Sequence, residues 1–110
     1  MSTPLDALHL LDLRVGRVQR CEPNPGARKP AYRLWIDFGP LGVLTSSAQL
    51  TGLYEPAELE GRLVIGVVNL GSRTIAGFKS DALVLGVDDD QGRVALLGVD
   101  RDVPLGHRVY

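Results

Sequence analysis

The sequence predicts an all-β protein, a small barrel of short strands with short helices attached. Three observations carry this expectation. Apolar runs of strand length recur between Leu13 and Val99; one helix-like segment separates the third run from the fourth; and a glycine breaks the phase of the first run. That last feature is what a strand shows when it bends to serve two sheets.

The most informative stretch is Ala27 to Gly39. Tyr32, Leu34, Ile36 and Phe38 alternate with Arg33, Trp35 and Asp37, the period of two expected of a half-buried strand. The first set should face a core and the second the outside. Arg28 and Lys29 lie in the loop before it, and Pro30 pushes Lys29 toward extended backbone. Two cations therefore stand beside the open end of this strand.

Before that stretch, Thr3 is a candidate helix cap with Pro4 at the first helical position and Asp6 in the first turn. Leu5, Leu8 and Leu11 would line one stripe of this helix. So short a helix is marginal alone, so it packs either on its own barrel or on a partner subunit. From Leu13 to Val18, Leu13 and Val15 share a phase that Val18 breaks, which predicts a bulge or sharp bend at Gly16. Glu22 to Gly26 is a turn-rich loop.

After Gly39, a tight Pro40-Leu41-Gly42 connection and a third strand, Val43 to Ala48, complete a hairpin. Glu55 to Gly61 reads as a short helix, with Pro56 in its first turn, acids near its start and Gly61 after its end. Arg62 to Leu70 is apolar on both faces, so it is covered on both sides or meets another subunit on one. Gly71 to Ser80 reads as a loop with two basic groups and Phe78. A fifth strand spans Ala82 to Val87 and a sixth Val94 to Val99, joined by an acidic turn, Asp88 to Gly92. This pattern fits an OB-fold, the oligonucleotide/oligosaccharide-binding barrel, with an N-terminal helix and a C-terminal extension, residues 1–110 forming one domain.

Composition sets the bounds on function. A hydrophobic fraction of 45% excludes a disordered chain, and no apolar run approaches the length of a membrane span, so no membrane insertion is expected. Asp6, His9 and Asp12 interrupt what would be the apolar segment of a signal peptide. The single cysteine, Cys21, forbids an internal disulfide and points to the cytoplasm. A net charge of −1 argues against wholesale polyanion binding, yet ten of the 12 basic residues are arginine, whose planar fork can chelate phosphate in a local patch.

Enzymatic chemistry finds no support. His9 and His107 lie near opposite ends, no cysteine or histidine cluster has metal spacing, and the glycines form no phosphate loop. Ser46-Ser47-Ala48-Gln49 lacks the glycines of a nucleophile elbow. Asp88 to Gly92 lacks the ligand spacing of a calcium loop. No metal and no cofactor are expected.

Arg14-Val15-Gly16-Arg17-Val18, Ala27 to Tyr32, Ile36-Asp37-Phe38-Gly39, Ser46-Ser47-Ala48-Gln49, Val67-Val68-Asn69 and Ala76-Gly77-Phe78-Lys79-Ser80 together resemble the CsaA export-related chaperone family, in order and spacing. That family sits within a wider group of tRNA-binding domains. The resemblance implies an OB-fold barrel, a homodimer, a cytoplasmic location and the binding of unfolded or export-bound polypeptides. The wider group resembles this chain at Lys29 and Tyr32, and its Ser-Glu-Gly-Met run corresponds to Ser80-Asp81-Ala82-Leu83.

Two functions therefore compete. In one, Trp35 on the outward face of strand two and Phe78 in its polar loop take up apolar polypeptide segments; in the competing reading Trp35 lies in a dimer interface and Phe78 plugs the barrel end. In the other, a tRNA-binding module, Arg28, Lys29, Arg73 and Lys79 contact phosphates, Ser80 donates a hydrogen bond, and Tyr32 or Phe78 offers a stacking face. Solvated loop charges and a core-facing Tyr32 are the alternative. The dimer contact is expected at Leu5, Leu8 and Leu11 together with Val103, Val109 and Tyr110, segments too small to bury themselves.

Overall fold

The computed structural model describes residues 3–110. Helix α1 (Pro4–Leu10) leads into β1 (Leu13–Pro23), β2 (Tyr32–Asp37), a 3-10 turn at Gly39–Leu41, β3 (Val43–Ala48), α2 (Pro56–Leu59) and β4 (Leu63–Val67). There follow β5 (Arg73–Ile75), β6 (Phe78–Ser80), β7 (Leu83–Val84), β8 (Gly86–Asp88) and β9 (Val94–Leu96). Five strands form one antiparallel sheet in the order β3-β2-β1-β4-β7. Its ends nearly meet, because the Asp81 and Ala82 N–H groups both donate to the Thr45 carbonyl of β3. The expected all-β OB-fold barrel is therefore present.

Strand β1 serves two neighbours in succession. Leu13 to Arg17 pair with β4, and Arg17 to Pro23 pair with β2. The bulge is not at Gly16, as the sequence suggests: the β1–β2 register shifts between Val18 and Arg20. The reason is that both faces of β1 are covered. Leu13 and Val15 pack outside the barrel with Ile65 and Val67, whereas Val18 and Cys21 face its interior. The break in apolar phase at Gly16 marks this change of core. Gly16 itself makes room for Phe38, fully buried: a Cβ at Gly16 would lie 2.8 Å from its ring, and one at Gly66 on β4 would lie 2.9 Å from it.

Cover for the outer face of β4 comes from the chain itself. Leu85, Val103 and Val109 pack on Leu13, Val15, Ile65 and Val67. The tail also pairs with β1 through the backbone: the Val15 N–H donates to the His107 carbonyl, the Gly106 N–H to that of Val15, and the Val109 N–H to that of Leu13. Val103 and Val109, expected to need a partner subunit for burial, thus find cover within their own chain, while Tyr110 is 97% exposed.

Helix α1 is as expected at its start, where Thr3 and Asp6 exchange side-chain and backbone hydrogen bonds in a capping box. None of its residues is buried, and Leu5, Leu8 and Leu11 all remain exposed. Two further elements differ from expectation. Gly71 to Ser80 is not a loop throughout but holds the β5–β6 hairpin, in which Gly77 and Ala76 both take positive φ to make the turn. The single fifth strand is broken into β7 and β8. The acidic turn after it is a hairpin turn, with the Asp89 carboxylate accepting from the Gln91 and Arg93 N–H groups.

Candidate nucleic-acid interface

The outward side chains of β2 and β3 include Arg33 and Trp35 and, opposite them, Ser47 and Thr45. Two segments lie against this face. One is the loop between β1 and β2, carrying Arg28 and Lys29; the other is the β5–β6 hairpin, carrying Arg73 and Ser80. In OB-folds this strand face and these two connections are where oligonucleotides sit.

A buried asparagine fastens the two segments. Asn24, only 4% exposed, donates through its side-chain amide to Ser47 Oγ at 3.0 Å and to the Ile75 carbonyl at 3.3 Å. Its side-chain oxygen accepts from Arg33 Nε at 3.0 Å, and its backbone pairs with Ala31 across the loop. The hairpin is held further by the Thr45 hydroxyl donating to the Lys79 carbonyl and the Ser47 N–H donating to Ser80 Oγ. Ser80 thus already accepts a structural hydrogen bond. A polar side chain buried with all its groups paired fixes geometry, because any displacement leaves desolvated donors without partners.

Between loop and hairpin lies a cleft of about 280 Å³, lined by Arg28, Lys29, Ser47, Gln49, Arg73 and Ile75 among others. Three of the predicted phosphate ligands, Arg28, Lys29 and Arg73, are therefore brought together. Lys79 is not with them. It stands opposite Thr74 across the hairpin, on the side away from Arg73 and Ser80, and pairs with Asp81 at 3.6 Å. Tyr32 is buried, with its hydroxyl donating to the Tyr54 carbonyl, so it offers no stacking face; burial, more than the nearby Glu55, pushes its pKa up.

Trp35 and Phe78 meet each other. Their rings stand edge to face, with centroids 5.3 Å apart, while the Arg20 guanidinium covers Trp35 at 4.5 Å and that of Arg33 covers Phe78 at 5.1 Å. Phe78 therefore packs on the outer sheet face rather than plugging the barrel. Ala82, where the tRNA-binding group has glycine, packs into the barrel core and does not line the basic cleft. Leu83 beside it is exposed and, with Leu70, Ile75 and Ala82, lines an adjoining cleft of about 120 Å³. Cys21 is buried and its thiol is pushed up to about 11, first by burial and then by Glu60 and Glu22, so it stays protonated and unreactive at neutral pH.

The family model for the putative tRNA-binding domain matches residues 13–108. The chain belongs to that family. Within the tRNA-binding domain family its likeness to solved CsaA chaperones is high: it is 40% identical to that of Bacillus anthracis str. Ames, with a TM-score of 0.89, and 39% identical to that of Picrophilus torridus, with a TM-score of 0.91. Each comparison covers all of both chains. The resemblance to CsaA read from the sequence is borne out. The chain is also 36% identical over 102 residues to the methionine–tRNA ligase of Methanocaldococcus jannaschii, spanning 93% of this chain but 15% of the ligase's length. What the two share is a binding domain, not a catalytic one. Among the described residues no cluster of three or more His, Cys, Asp or Glu side chains is placed to hold a metal, and no helix is long and apolar enough to cross a membrane.

Sequence reasoning missed Asn24, Ser47 and Gln49 as site residues. The latter two lay within a quoted family stretch, Ser46 to Gln49, but nothing in its spacing says which side chains face out. Asn24, between two prolines, reads only as turn chemistry.

Proposed function

We propose that this domain binds tRNA through the cleft between the β1–β2 loop and the β5–β6 hairpin, in the cytoplasm. The observation that carries this is the convergence of Arg28, Lys29 and Arg73 on one groove of an OB-fold face. A net charge of −1 permits it, because phosphate binding needs only a local field. With Tyr32 buried and Trp35 and Phe78 packed on each other, the groove offers cations and hydrogen-bonding groups rather than stacking rings. Recognition then rests on the path of the backbone, with little reading of bases.

The test is fluorescence anisotropy of labelled tRNA at several salt concentrations. Replacing Arg28 and Lys29 together by Ala is expected to weaken binding about tenfold to a hundredfold at low salt and to flatten the salt dependence by about two phosphate contacts. An unchanged slope would remove this groove from the account.

A second reading has its own support. The small cleft beside the basic groove has an apolar side of Leu70, Ile75, Ala82 and Leu83, with Ser47, Arg73, Ser80 and Asp81 at its polar edge, and Leu70 and Leu83 are both more than half exposed. The known CsaA structures are of chaperones. This cleft, with Trp35 and Phe78 on the adjoining face, would hold an apolar side chain of an unfolded or export-bound polypeptide. Displacement of bound tRNA by such a polypeptide would place both ligands on one surface; failure to displace would separate them. A homodimer through the exposed leucines of α1 and the end of the tail at Tyr110 belongs to the same proposal.

A further inference from the structure

The groove does not end at Lys29 and Gln49. These two residues also border a further cleft, of about 450 Å³, whose far side is the β8–β9 hairpin with Gly52 beneath it. We propose that Arg93 at this far side is an additional phosphate anchor, so that an RNA backbone runs from Arg73 past Gln49 and Lys29 to Arg93. The proposal rests on reading the groove as an RNA interface and extends that interface beyond the two OB-fold connections.

Arg93 is held in place before any ligand arrives. Its Nε donates to the Asp89 carboxylate at 2.8 Å, and its backbone N–H donates to the same carboxylate at 2.8 Å. Its aliphatic stem lies on Gly52, where an added Cβ would approach the Arg93 Cγ to 3.1 Å and its Cβ to 3.2 Å. Any larger residue at position 52 would have to displace the stem. The two terminal nitrogens of the guanidinium have no acceptor among the described residues, and the side chain is 43% exposed. A guanidinium fixed at one edge and free at the other loses little conformational freedom on meeting a phosphate.

The charge balance along the path is favourable. Arg28, Lys29, Arg73 and Arg93 border the continuous groove, whereas Asp88 is the acid that lines its far cleft. Asp89 offsets part of the Arg93 charge, so the contact is an oriented hydrogen bond more than a free point charge. Loss of Arg93 should therefore remove less than one full phosphate from the salt dependence. Asp88 faces the same cleft and should oppose the ligand.

Three variants test this in the intact chain with labelled tRNA at salt concentrations from about 50 to 200 mM. Arg93→Ala is expected to bind about three- to tenfold more weakly with a slightly flatter salt slope, Arg93→Lys to fall between it and the native chain, and Asp88→Asn to bind more tightly. The Asp89 carboxylate still accepts two backbone N–H groups in Arg93→Ala, so the hairpin turn should persist and thermal unfolding should be unchanged. Native binding with Arg93→Ala indistinguishable from it would overturn the extended path and leave the RNA reading standing. If the native chain binds no tRNA at 50 mM salt while an unfolded polypeptide binds, the RNA reading itself fails and the anchor with it.

Discussion

The two ends of β1 face the same problem and solve it with different chemistry. At each end the barrel must hold segments that have no core of their own. At the start of β1 these are the tail and α1; at its far end they are the loop bearing Arg28 and Lys29 and the hairpin bearing Arg73. The tail is attached by apolar packing, Val103 and Val109 on Leu13, Val15, Ile65 and Val67, with backbone pairs to β1. The groove segments are attached by a polar network around Asn24. Apolar contact is non-directional and tolerates small shifts, whereas a buried amide with several partners permits only one arrangement. The end proposed to hold tRNA is the one where a buried side-chain amide ties the segments together.

The largest effect should come from Asn24→Ala. It leaves Ser47 Oγ, the Ile75 carbonyl and Arg33 Nε short of a partner, and unsatisfied buried groups cost about 1–3 kcal/mol. Chemical denaturation should show that loss, and tRNA affinity should fall as well, since Arg73 would no longer be held opposite Lys29. Val109→Ala at the other end removes two partly buried carbon groups and should cost about 1 kcal/mol at about 0.8 kcal/mol per methylene-sized group, with tRNA affinity unchanged. If both variants lower affinity equally, the division between a packing end and a positioning end is wrong.

These ends were not equally legible in the sequence. Period-two alternation fixes which residues of β2 face inward, and Tyr32, Leu34, Ile36 and Phe38 are all buried. Capping chemistry places α1 and α2, because the signal is contained within one turn. What alternation could not show is which core an inward residue meets. Leu13 and Val15 belong to a second cluster closed by residues some ninety positions later, so their phase looked broken at Gly16 when the bulge lay beyond Val18. Arg28, Lys29 and Arg73 were legible as basic loop residues near a strand end. Asn24 was not, because its role depends on Ser47, Arg33 and Ile75, three residues brought to it only by the closed barrel.

A smaller effect is expected at the junction of β1, α1 and the tail. Asp12 accepts from Arg14 and also pairs with Arg108 at 3.7 Å. The Arg14 hydrogen bonds, and then the charges of Arg14 and Arg108, hold its carboxyl below the ordinary 3.8 against the opposing effect of burial. A carboxyl depressed in the folded state adds stability that is complete above its unfolded value and disappears as pH falls through the folded one. Asp12→Asn should therefore melt slightly lower than the native chain at pH 7, by less than Val109→Ala, and the two curves should converge as the pH falls below the ordinary 3.8 and through the lowered folded value. A difference that persists in acid would mean that the asparagine perturbs packing and that charge is not the cause.

The smallest effect on the folded chain, and the sharpest on assembly, should follow Leu8→Lys. Seven residues cannot sustain a helix by propensity, and α1 is held instead by its ends: the capping box at its start, and at its finish Arg108 donating to the His9 and Leu11 carbonyls and Asn69 donating to that of Leu10. Leu8 contributes to none of these bonds and no residue of α1 is buried, so the substitution should change stability by no more than about 0.5 kcal/mol. Yet Leu5, Leu8, Leu10 and Leu11 expose a run of apolar surface that a solvated helix has no use for. If a second copy covers it, a buried Lys at position 8 would drive the sedimentation mass from two chains to one at micromolar concentration. A native mass of one chain would leave those leucines without a dimer to explain them, and a Leu8→Lys mass of two chains would move the interface off α1.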